Sequence, residues 1–286
     1  MKTKWKPRHI EETIMKILMI FSFSLIIGSL GWILFTILIK GLPSLSWAML
    51  TQTPKGGYYL GKEGGILNAI VGSLYLAAGG TILAVLIAFP TALFLSVYVN
   101  KKRWAVIVRL SLDILWGIPS IVYGAFGFLL MLAMGLRASL LGGIITLAFL
   151  EFPIMTRAMD EIIQRIPPDL PLAAYALGST HFETALHVIT RQVIPGLLTA
   201  VLLAFGRAIG DAASVLFTAG YTDHIPTSLS QPVASLPLAV FFQLATPYPE
   251  VQNRAYASAL ILTILVLGVS ILSRWISYHL DRYSIR

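Results

Sequence analysis

The chain has 286 residues, 57% of them hydrophobic and only 12% charged, with 21 Lys and Arg against 13 Asp and Glu for a net charge of +8. A soluble domain carries about twice that share of charge, so an ordinary cytosolic enzyme, a nucleic-acid-binding domain and a disordered chain are excluded. Without a single cysteine, disulfide scaffolds, thiolate metal sites and thiol nucleophiles are excluded as well.

Apolar runs of about 20 residues mark helices that cross a bilayer. The first is 14–39, interrupted only by Lys16. It is too long for a signal-peptide core and has no small-residue cleavage pattern behind it. The second, 66–99, contains Pro90, which predicts a kink or the last turns of the helix. The third, 104–134, includes Asp113, Gly117 and Pro119. The fourth is 139–155, the fifth 196–219 and the sixth 255–276. Six spans and an all-α membrane fold are expected.

An even number of spans puts both termini on one side, and basic residues decide which. Fifteen fall on the terminal side: Lys2, Lys4, Lys6, Arg8, Lys16, Lys101, Lys102, Arg103, Arg109, Arg157, Arg165, Arg191, Arg274, Arg282 and Arg286. Five fall on the other: Lys40, Lys55, Lys62, Arg137 and Arg254. Arg207 lies inside the fifth span. Both termini are therefore expected in the cytoplasm, and the basic balance is chiefly an orientation signal with lipid adhesion second.

Two outer connections are long. Residues 41–65 are rich in Gly and Pro, and 220–253 hold five prolines. The segment 56–62, GGYYLGK, has the spacing of a phosphate-binding loop. Glu63 follows where a Mg²⁺-binding hydroxyl is needed, and no strand precedes it, so a plain outer loop is the better reading. The five histidines have no metal-ligand spacing, and no metal is expected.

An ionised group at membrane depth costs about 2.5–3.5 kcal/mol on insertion scales and usually marks a pathway or a partner. Arg207 and Asp211 are four apart, and Arg157 and Asp160 three apart, so each pair is expected to share a helix face. Two readings stay open for each: mutual neutralisation, or an anion site in which the Asp orients the Arg. Arginine suits a tetrahedral oxyanion because its planar fork donates two parallel hydrogen bonds. Asp113 is either a helix-end residue or part of the pathway.

The cytoplasmic stretch 159–195 holds a candidate partner surface. Ala173, Ala174, Ala176 and Leu177 suit a short helix that Gly178 can end in a left-handed conformation. Thr180 and Glu183 then offer a capping box for a second helix. Small residues before a sharp glycine turn suit insertion into a groove, although any connector could carry them.

LAAYALGSTHFETALHVI (172–189) resembles the E-A-A-x-x-x-G cytoplasmic loop of ABC-importer permeases. RAIGDAASVLFTAG (207–220), QPVASLPLAVFFQLATPYPE (231–250) and GGILNAIVGSLYLA (64–77) resemble the phosphate-specific, A-type branch of that family. The resemblance implies a six-helix type I (MetI-like) permease core over 66–280, preceded by an N-terminal unit over 1–65. It implies a homologous permease partner, two ATP-binding subunits docked on the loop at Ala173, Ala174 and Gly178, and an external phosphate-binding protein. It ties Arg157, Asp160 and Arg207, with Asp211, to the substrate pathway. No catalytic residue and no cofactor of the chain's own are implied, since ATP binds the partner subunits. Three departures stand out: Leu172 replaces the loop glutamate, Arg191 replaces a proline that recurs at Pro195, and Asp211 replaces a glutamate. A secondary anion transporter or channel, a permease for another oxyanion and a membrane enzyme are the alternatives. No inverted repeat and no nucleophile–base set is visible to favour the first or the last.

Overall fold

A computed structural model describes residues 6–55, 64–99 and 103–280, with side chains from residue 10 to 279. The loop motif 56–62 and the basic residues Lys2, Lys4, Lys101, Lys102, Arg282 and Arg286 lie outside the described residues. The described chain is helical throughout its ordered elements: α1 Lys6–Gly41, α2 Trp47–Thr51, α3 Leu67–Leu93, α4 Arg103–Trp116, α5 Ser120–Ala133, α6 Leu140–Gln164, α7 Asp169–Ala176, α8 His181–Glu183, α9 Thr190–Gly210, α10 Leu236–Leu244 and α11 Pro249–Leu280. Two π-helical turns, Phe94–Tyr98 and Thr184–Ile189, extend α3 and precede α9.

Among the described residues five helical stretches are long and apolar enough to cross a membrane, or six if α4 and α5 count as one broken span. The third expected span, 104–134, is broken in two: α4 and α5 meet at 98°. The cause is local. Pro119 lacks an amide hydrogen and drives Ile118 out of the helical region, while Gly117 closes α4 with bonds back to the Asp113 and Ile114 carbonyls. The fifth span is also corrected: its helix stops at Gly210 instead of running to 219. Asp211 has extended backbone (ψ 119°) and its Oδ1 accepts the Ser214 amide at 3.1 Å, a local bond that competes with further helix. The fourth helix runs to Gln164, beyond the expected 155.

Small residues let the inner helices approach closely, as membrane helices require. Ala84, Ala88 and Ala92 of α3 face Met155 and Met159 of α6 and Val193, Leu197, Ala200 and Ala204 of α9 in one buried cluster. A second cluster joins Leu76 and Ala77 of α3, Leu147 and Leu150 of α6, and Ala208 and Ile209 of α9 to the non-helical segment after α9, through Val215, Ala219 and Val233. Irregular backbone at this depth must be satisfied within the protein, and several bonds do so. Ser139 and Leu140 amides, which begin α6, donate to the Thr218 and Gln231 carbonyls at 2.9 and 2.8 Å. The Leu236 amide donates to Ser73 Oγ at 2.8 Å, and Asn68 Nδ2 to the Thr222 carbonyl at 2.7 Å.

The inner loop forms as expected. Gly178 is left-handed at φ 87°, and the Ser179 and Gly178 amides close α7 on the Ala174 and Tyr175 carbonyls. Thr180 and Glu183 make both halves of the capping box. Thr180→Ala removes one half, and caps of this type are worth about 1 kcal/mol. Amide exchange of residues 181–189 is expected to rise about fivefold, measured by hydrogen–deuterium exchange; an unchanged rate would show that the cap does not hold this turn.

Candidate functional site: two charged stations along α6

The inner station is built on Asp160, whose side chain is wholly buried. Arg109 of α4 grips it with two bonds, Nε to Oδ2 at 2.7 Å and Nη2 to Oδ1 at 3.0 Å. Ser96, brought in by the π turn after α3, donates to Oδ1 at 2.7 Å, and Gln164 donates to Oδ2 at 2.6 Å. Arg157 reaches Oδ2 at 3.4 Å, so the expected Arg157–Asp160 pair is formed. Its shorter bond, however, runs from Nε to Asp113 Oδ1 at 2.8 Å, and Nη2 meets Glu161 Oε1 at 3.3 Å. Asp113 thus joins the network from α4. Two arginines against three carboxylates leave this cluster one negative charge in excess, and as it stands it is closed to an anion.

The outer station is different. Arg207 is exposed in the last turn of α9. Among the described residues it makes no ion pair within 4 Å, with Asp211 or any other acid. The expected shared helix face is overturned, because Asp211 lies past the helix end with its carboxylate turned to the Ser214 amide. Of the two readings left open for Arg207, mutual neutralisation fails.

Neither Arg109 nor Glu151 stands out among the sequence candidates, and the structure brings both into the stations. Arg109 looks like one of many basic residues, and its partner Asp160 lies 51 residues away on another helix, so no local spacing reveals it. Glu151 sits near the middle of the 25-residue α6, 1% exposed. Thr81 Oγ1 donates to its Oε1 at 3.4 Å, and its Oε2 has no hydrogen-bond partner among the described residues. Arg207 and Asp211 are within electrostatic reach of it. The rule that flags charges at membrane depth applies to Glu151 as it does to Arg207. At 1.5 Å rise per residue, Glu151 and Asp160 are about 14 Å apart along α6.

A recess of about 440 Å³ at the α4–α5 elbow is lined by Leu115, Ile118, Val122, Tyr123, Phe126, Phe149, Phe152 and Pro153, and suits no anion. A second recess, bordered by Lys40, Glu250 and the buried Arg254, lies between the end of α1 and the start of α11, away from both stations. Among the described residues no group of His, Asp and Glu is arranged to hold a metal. On the inner loop Ala173 and Gly178 are exposed and Ala174 is buried. Leu172, Leu177 and Phe182 project beside them at 60%, 88% and 62% exposure.

The family model described as "Binding-protein-dependent transport system inner membrane component" matches residues 88–284. The "Phosphate transport system permease protein PstA" of Haemophilus influenzae is 35% identical over 259 residues, 90% of each chain. The Yersinia pestis protein of that name is 34% identical over 85% of this chain and 82% of its own. Among solved structures, the MetNI methionine ABC transporter in an inward-facing conformation aligns with TM-score 0.60 and 16% identity, covering 75% of this chain and 95% of that one. That last likeness speaks to the fold.

Proposed function

Because the chain belongs to the family of binding-protein-dependent transport system inner-membrane components, we propose that it is a permease subunit of an ATP-driven importer of inorganic phosphate. The substrate is suggested by the relatives' names, at about a third identity over most of both chains. The pathway reading rests on one observation, an arginine fork at the end of α9 without a carboxylate partner among the described residues. The anion meets Arg207 first, with Asp211 holding the chain that follows it. It then passes to Arg157 and Asp160.

The inner station acts as a gate. Arg157 becomes available to the anion only when its bonds to Asp113 of α4 and to Asp160 and Glu161 of α6 are all released. The motion this needs is supplied from outside the chain: two ATP-binding subunits seated on Ala173 and Gly178, with Ala174 buried beneath them, push the loop as they close, and the permease pair alternates between outward- and inward-open states. The second permease is a homologous subunit, and an external phosphate-binding protein delivers the anion. The chain itself performs no catalysis and holds no cofactor. Residues 66–280 form the permease core, 1–65 an added N-terminal unit, and both termini face the cytoplasm.

Proteoliposomes holding the assembled complex test this directly. Phosphate uptake should require ATP, the ATP-binding subunits and the binding protein, with sulfate and molybdate failing to compete at equal concentration. Phosphate flux through the chain without ATP or ATP-binding subunits would make it a secondary transporter or channel, and displacement by molybdate would reassign the substrate.

A further inference from the structure

Glu151 is the least expected acidic side chain in the molecule. It is nearly sealed from solvent at the middle of α6, and one of its two carboxylate oxygens has no hydrogen bond among the described residues. A buried carboxylate left half-satisfied is costly and persists where something repays it. Its one donor, Thr81, is long at 3.4 Å. Better donors are absent from its flank of α3, where Ala77, Gly80 and Ala84 offer no polar side chain.

Arg207 is the complementary case: a guanidinium at the end of α9 without an ion-pair partner among the described residues, within electrostatic reach of Glu151. Packing holds the two backbones together, since Leu147 and Leu150 share one buried cluster with Ala208 and Ile209. The long arginine stem can swing while the glutamate, packed inside α6, stays in place. The free oxygen and the free fork complement each other as a carboxylate and a guanidinium do.

We propose that Glu151 is the internal counter-ion of Arg207, a positioning residue that competes with the transported anion for the guanidinium and so drives its release toward the inner station. With an anion on Arg207, Glu151 stands aside. As the anion leaves, the fork closes onto the Glu151 carboxylate, and rebinding is opposed. This deepens the pathway reading above and rests on Arg207 meeting the anion.

The test is a double-mutant cycle on phosphate uptake by the assembled complex, using Glu151→Gln, which keeps size and the Thr81 contact, and Arg207→Lys, which keeps charge. Glu151→Gln should lower Vmax about tenfold and lower KM with it, because the anion is held longer; the amount of assembled complex stays the same. Arg207→Lys should lose about tenfold. The double variant should match the worse single variant instead of reaching about a hundredfold loss, the sign of coupled residues. Glu151→Asp, which keeps the charge, should restore part of the Vmax. Additive losses, an unchanged KM, or a fall only in assembled protein would each overturn the counter-ion role. Undiminished uptake in Arg207→Lys and in Arg207→Gln would instead overturn the pathway reading on which it rests.

Discussion

Asp160→Ala is expected to cost about 3–5 kcal/mol of stability, the range for removing one partner of a buried ion pair. The cost arises from what is left behind. Arg109 is largely buried, with a side-chain exposure of 15%, and loses both of its bonds to Asp160. Ser96 and Gln164 lose their acceptor in the same step. In a chain of this size the melting temperature in detergent should fall by roughly 10 °C. Arg157 is insulated by Asp113 and Glu161, so Arg157→Ala should have a smaller effect. Replacing Arg109 and Asp160 together with methionine should recover much of the loss, since a buried pair exchanged for apolar side chains is often neutral. A melting temperature for Asp160→Ala within 2 °C of the unaltered protein would mean that the network does not hold α4 on α6.

Arg207→Gln is expected to have the opposite profile: intact assembly with uptake reduced at least about a hundredfold. Arg207 is exposed and takes part in no ion pair among the described residues, so packing has little to lose. Transport loses the charge and the fork. Two charge-assisted hydrogen bonds at about 1.5–3 kcal/mol each account for that factor or more. Arg207→Lys should fall between, at about tenfold, because an ammonium keeps the charge without the bidentate geometry. Initial rates of labelled phosphate uptake, normalised to purified complex, decide the matter; near-normal rates in the glutamine variant would remove Arg207 from the pathway.

The helical membrane class and five of the spans are legible in apolar run length, because a bilayer allows little else. The inner loop is legible residue by residue, since Gly178, Thr180 and Glu183 act through their own backbone neighbours. The breaks are harder to read. Pro90 and Pro119 look alike in the sequence, yet Pro90 stays inside α3 and Pro119 begins a new helix at 98°. What separates them is local: Gly117 closes α4 two residues before Pro119, and Tyr123 Oη adds a bond at 2.9 Å to the Leu115 carbonyl, which the Ile118 amide also reaches. Asp211 was legible as a charge but not as a cap, because helix spacing is silent about where the helix stops. Arg109 was hidden by its numerous basic company and came forward only when α4 was seen against α6.

The first helix invites a different kind of conclusion. α1 is exposed along its apolar length and touches the rest of the molecule chiefly near its end, where Gly41 meets Tyr256 and Leu260 of α11. Lipid tails solvate its side chains as well as protein would, so α1 adds little to the free energy that holds the other helices together. Its influence is exercised earlier, while the chain is being threaded into the bilayer. The first segment to insert usually sets the direction of those that follow. A change in the charges flanking α1 would therefore leave a melting curve almost untouched and bear instead on how this helix is oriented in the bilayer.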